Sequence, residues 1–103
     1  MQPDAQRGRE VFKQCEGCHS MEADVHLYGP SLHGVVNRPA GKLESYDYSD
    51  ALGAVDFQWT SGHLQQWLQD EPKNMVPGTR MEFPGLPDKQ NIDDLIKFLE
   101  SPQ

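Results

Sequence analysis

Apolar residues fall into short stretches of helical spacing, separated by long runs with no period. Gly8, Val11, Phe12 and Cys15 recur at intervals of three and four behind Pro3-Asp4, which offers an N-cap, so a first helix is expected over Ala5 to Gln14. Ser49 caps an expected short turn reaching Ala54. Thr60-Ser61 opens a helix carrying Leu64, Trp67 and Leu68 on one face, with Pro72 as its boundary. Asp88 begins a last helix, where Ile92, Leu95, Ile96 and Leu99 form an apolar stripe with Phe98 beside it.

Between these stretches, Met21 to Ser49 and Met75 to Pro87 are punctuated by Gly and Pro. Neither alternates with a period of two, so no strand is expected. A long ordered loop inside a compact domain usually has a job. The pattern therefore predicts an all-α chain with long loops, organised as a single domain over residues 1–103.

Composition changes this picture in one respect. Apolar residues with glycine fall a little below the roughly 45–50% of ordinary globular domains, so something besides side chains is expected to fill the core. A buried flat macrocycle would do so. Nine Lys+Arg against sixteen Asp+Glu give a net charge of −7, which opposes nucleic acid and anionic membrane surfaces as partners. No apolar stretch approaches the roughly 20 residues of a spanning helix, and the N-terminus has no hydrophobic signal region. An exported protein whose signal has been removed fits, with Met1 as an added start.

Both cysteines lie in Cys15-Glu16-Gly17-Cys18-His19, the haem-attachment pattern. On one helical turn two thiols reach the two vinyl groups of a haem, and the next residue offers its imidazole to the iron. A thioredoxin-like pair would need a βαβ context that is absent. A zinc site needs four ligands, and His26, His33 and His63 stand at no recognised spacing. A disulfide across two intervening residues closes almost no loop.

A haem iron ligated by protein on both faces needs a second axial ligand, and a thioether raises the potential relative to a second histidine. Met1 is terminal, Met21 lies too near His19, and Met75 precedes the turn at Pro77-Gly78. Met81 follows that turn and is the expected ligand.

With these elements placed, the chain resembles the class I c-type cytochromes, the mitochondrial cytochrome c family and its bacterial relatives, nearly end to end. The segments that carry the likeness are Cys15 to His19, Gly29-Pro30-Ser31-Leu32-His33-Gly34, Tyr46-Asp47-Tyr48-Ser49-Asp50-Ala51, Trp59 and Val76-Pro77-Gly78-Thr79-Arg80-Met81. The resemblance implies the small cytochrome c fold, helices and long loops around one covalent haem c held by Cys15 and Cys18 and ligated by His19 and Met81. It implies that the Pro30 carbonyl orients His19. It implies that Arg38, Tyr48, Trp59 and Thr79 meet the haem propionates, that Gly8 and Phe12 cross the last helix at Leu95 and Phe98, and that His26 ties loop backbones together.

Departures stand beside the likeness. Trp67 occupies the place of a tyrosine and Leu52 that of an asparagine in mitochondrial members, which predicts an altered potential. Those members are basic, whereas here Lys13, Lys73, Arg80 and Lys89 suggest only a modest basic rim, with Glu22, Asp24, Asp93, Asp94 and Glu100 making up the acidic remainder.

The function implied is a soluble, monomeric, non-enzymatic electron carrier between redox proteins: a membrane cytochrome complex, terminal oxidase or reductase, as in a respiratory chain. The acidic balance favours a bacterial periplasm over the mitochondrial intermembrane space. Rival readings are a haem enzyme or a gas or peroxide sensor with a displaceable Met81, and a cytochrome domain of a larger oxidoreductase.

Overall fold

The computed structural model describes residues 2–43, 46–79, 81, 83 and 85–100. Within them lie helices α1 (Ala5–Phe12), α2 (Asp50–Gly53), α3 (Ser61–Leu68), α4 (Pro72–Met75) and α5 (Lys89–Glu100). No strand forms among the described residues. Residues 37–40 instead run against 57–59, with Asn37 N–H on the Trp59 carbonyl at 2.7 Å, Trp59 N–H on the Arg38 carbonyl at 2.8 Å, and a lone bridge between Pro39 and Gln58.

The capping residues explain where the helices begin. The Asp4 carboxylate accepts from Arg7 N–H, Ser49 Oγ from Leu52 N–H and Thr60 Oγ1 from His63 N–H, each satisfying an amide with no partner inside its helix. Asp88 acts likewise ahead of α5, its carboxylate accepting from Gln90 N–H at 2.8 Å. Two boundaries differ from expectation. α1 stops at Phe12 because the chain then tightens, Gln14 N–H bonding Val11 and Cys15 N–H bonding Phe12 three residues back. Pro72 opens α4 rather than only closing α3, since its fixed φ suits a first helical position.

α1 crosses α5 with almost no gap. A β-carbon at Gly8 would collide with the Asp94 carbonyl and stand 2.8 Å from Phe98 Cβ, so glycine permits the approach. Four residues on, the Phe12 and Phe98 rings meet at 5.4 Å, and Val11, Ile92, Leu95, Ile96 and Leu99 are buried around them. The expected crossing of α1 over the last helix is thus observed at Phe98, with the Asp94 backbone as the other close contact and Leu95 buried beside them. The core continues through Leu64, Trp67 and Leu68 of α3.

Asp94 is a correction. It is only 1% exposed and does not belong to the acidic surface. Its carboxylate accepts from Arg7 Nε at 2.9 Å, Asp4 N–H at 2.9 Å and Gln90 Nε2 at 2.9 Å, pinning the start of α1 to α5. It lies just beneath the surface, covered by an Arg7 side chain that is itself 40% exposed. The hydrogen bonds from Arg7 hold it below the usual carboxylate range.

Candidate functional site

The turns after α1 present Cys15, Cys18 and His19 in sequence order on a tightly wound segment, Cys18 and His19 both donating their N–H to the Cys15 carbonyl at 3.0 Å. Cys15 is half-buried and Cys18 exposed. Burial, followed by the neighbouring Cys18, pushes the Cys15 thiol up to about 11, so it is held protonated rather than as a reactive thiolate.

These three side chains line one cavity of about 360 Å³, within the roughly 300–1,000 Å³ common for cofactor sites. Pro30, Tyr48, Thr79 and Met81 line it too, so the segments around 15–19, 28–30 and 46–52 converge there with Thr79, Met81 and Phe83. Leu52, Trp67 and Phe83 make much of its apolar wall. Such a wall suits a flat hydrophobic group better than a polar substrate.

His19 is oriented from behind. Its Nδ1–H donates to the Pro30 carbonyl at 2.8 Å, which leaves the Nε2 lone pair as the available donor atom. Burial lowers its proton affinity, the Pro30 bond opposing and Arg38 adding to the fall, so the ring is neutral. Gly29 makes room for it: a β-carbon there would strike the ring, 2.7 Å from Nδ1. A neutral, fixed imidazole is what a metal requires.

Arg38 and Trp59 are not among the residues that line the cavity. Arg38 Nη1 donates to the Ser31 and His33 carbonyls at 2.9 and 3.1 Å. Its Nε is buried with no hydrogen-bond partner among the described residues. A buried guanidinium nitrogen so placed, in electrostatic reach of Tyr48 on the cavity wall, fits a group that brings an anion. Burial lowers the proton affinity of Arg38 and raises that of the Tyr48 hydroxyl, which accepts from Leu43 N–H. Trp59 packs edge to face on Trp67 at 5.0 Å and so supports the wall. The residues present therefore fit a haem with ionised propionates.

His26 accepts from Ser31 N–H at 2.9 Å, the loop tie expected of it. Sequence alone gives no role to Tyr28, Tyr46 or Phe83, although all three line the cavity. Tyr46 donates its hydroxyl to the Tyr28 carbonyl at 2.6 Å and packs its ring on Tyr48 at 4.8 Å. The density of aromatics near Tyr46-Asp47-Tyr48 was the available signal, but aromatics fill cores equally well.

Comparison with known proteins finds relatives along nearly the whole chain. The Cytochrome c family model matches residues 5–103. A cytochrome c2 of Blastochloris viridis is 39% identical over 98 residues, 94% of this chain and 76% of that protein. A cytochrome c of Arabidopsis thaliana is 38% identical over 102 residues, 97% of this chain and 90% of that one. Among solved structures, cytochrome cH from Methylobacterium extorquens superposes with a TM-score of 0.89 at 42% identity, over 95% of this chain and 98% of that one.

Proposed function

Because the chain belongs to the cytochrome c family, we propose that it is an electron carrier whose one haem c is attached through Cys15 and Cys18 and ligated by His19 and Met81. The observation that carries this reading is the convergence of the Cys15 to His19 turn and Met81 on one largely apolar cavity. When bound, the haem supplies a one-electron ferric/ferrous couple.

The chain's own residues do the rest. Cys15 and Cys18 offer thiols to the haem vinyl groups, and the Pro30 carbonyl fixes which imidazole nitrogen of His19 faces inward. Met81 offers a soft thioether that favours the reduced state relative to a second imidazole. Leu52, Trp67 and Phe83 exclude water, while Arg38, Tyr48, Thr79 and Trp59 answer the propionate charge. With His19 and Met81 both holding the iron, no position would be left for a substrate, which supports a carrier rather than an enzyme.

The protein acts as one monomeric cytochrome c domain. Its acidic balance supports a bacterial periplasm, where it passes electrons in a respiratory chain between membrane-bound and other redox proteins. The test is the visible spectrum of the ferric holoprotein. A weak band at the red edge, characteristic of methionine-ligated ferric haem, is expected, and Met81→Ala should abolish it and admit external ligands. Survival of the band in Met81→Ala, with its loss in Met75→Ala, would overturn the ligand assignment.

A further inference from the structure

We infer that the loop over residues 16–28 is the surface on which redox partners dock, and that the partner it fits presents an apolar patch ringed by lysine or arginine. This rests on the carrier reading above. Val25, Leu27 and Tyr28 are 40%, 48% and 68% exposed, and they stand out as the large hydrophobic side chains open to solvent among the described residues. A single exposed apolar residue means little, but a cluster beside a functional opening does.

The loop is tied to the site by its backbone. Gly29 N–H donates to the Cys18 carbonyl at 2.7 Å, and Leu27 N–H donates to the Gly29 carbonyl at 3.0 Å. Tyr46 adds its hydroxyl bond to the Tyr28 carbonyl. Tyr28 and the exposed Cys18 both line the cavity, so the apolar patch flanks its solvent side. A partner seated there comes close to the bound group.

Charge selects the kind of partner. Residues 16–28 include Glu16, Glu22 and Asp24, all exposed, and no Lys or Arg. The basic rim suggested by sequence is largely cancelled: Lys13 pairs with Glu10 at 2.9 Å, Lys73 with Glu71 at 3.1 Å and Lys89 with Asp93 at 2.8 Å. Arg80 lies outside the described residues. An acidic partner would set carboxylates against carboxylates, whereas a basic one gains steering from the local field and from the net charge of −7. Electron-transfer encounters are small, below about 1,200 Å², so three apolar side chains with a charged rim make an adequate contact.

Two probes test this on the holoprotein. In stopped flow, exchange with cationic hexaammineruthenium should slow several-fold from low salt to about 0.2 M, while exchange with anionic ferricyanide should quicken. The double variant Glu16→Lys, Glu22→Lys should weaken or reverse both slopes, and Glu100→Lys, on the far end of α5, should leave most of each slope in place. NMR titration with a basic mitochondrial cytochrome c should shift residues 16–28, less strongly at high salt and in Leu27→Ser. Slopes unaltered by the double variant, or shifts centred on residues 71–75 or 89–97, would overturn the docking assignment alone. Absence of exchange with both reagents would overturn the carrier reading, and the docking surface with it.

Discussion

The Nδ1–H of His19 donates to the carbonyl oxygen of Pro30 over 2.8 Å, and the same ring rests against the bare α-carbon of Gly29. Two neighbouring residues thus set both the tautomer and the position of the imidazole. The ring cannot yield to a methyl group at Gly29 without giving up the Pro30 bond. Gly29→Ala is therefore expected to cost about 1–3 kcal/mol by overpacking and to disturb the axial-ligand resonances of His19 in NMR spectra. Gly17→Ala, where a β-carbon meets nothing within 4 Å, is the matching control and should leave them in place.

Arg38 combines two hydrogen-bonded backbone carbonyls with a buried Nε that has no partner among the described residues. A cation beside the site disfavours the extra positive charge of the ferric state. Arg38→Gln should lower the midpoint potential, by on the order of one tenfold change in the ferric to ferrous ratio, about 59 mV for one electron. Arg38→Lys keeps the charge but not the planar fork, so it should keep most of the potential while loosening the loop over 31–38. Equal potentials in Arg38→Gln and the native protein would show that the guanidinium only braces that loop.

Sequence made the helices legible wherever a cap preceded an apolar stripe, as at Asp4 and Thr60, and it made the four-residue α2 legible from the Ser49 cap alone, because these signals are local. It made Cys15, Cys18 and His19 legible because their spacing has its own chemistry. α4 escaped because its four residues bury only Pro72 and its N-cap, Glu71, makes no side-chain capping bond, leaving neither periodicity nor a cap to detect. Asp94 escaped for a different reason. Its partners Asp4 and Arg7 sit at the other end of the chain, and nothing local separates a clamped carboxylate from a solvated one. The docking loop escaped likewise, since pairing of Lys13, Lys73 and Lys89 by carboxylates is a matter of side-chain placement.

Leu52 and Trp67 both reach the cavity wall, so the two departures from the mitochondrial pattern are departures at the site itself. Leu52→Asn introduces an amide where the wall is aliphatic, and a more polar wall favours the more charged ferric state. A lower potential is expected, by less than in Arg38→Gln. Trp67→Tyr removes part of the edge-to-face contact with Trp59 at 5.0 Å and should lower thermal stability as well as alter the potential. Redox titration alongside calorimetry separates these effects; unchanged potentials in both variants would remove Leu52 and Trp67 as tuning residues.

The Asp94 clamp predicts an acid-dependent stability. Hydrogen bonds from Arg7, then from Asp4 N–H and Gln90, favour the ionised carboxylate and hold its folded-state pKa below the ordinary value, against a smaller opposing cost of burial. The clamp therefore contributes fully above the unfolded-state pKa of about 3.9 and is lost as pH falls through the lower folded-state value. Asp94→Asn replaces one accepting oxygen with a donor facing Arg7 and Asp4. It should cost about 1–2 kcal/mol at neutral pH, the lower part of the charge-assisted range because Arg7 is open to solvent. Denaturant titrations across pH decide the mechanism. If the gap between native protein and variant closes as the acid limb is descended, the carboxylate charge holds α1 to α5; if it stays constant, shape alone does.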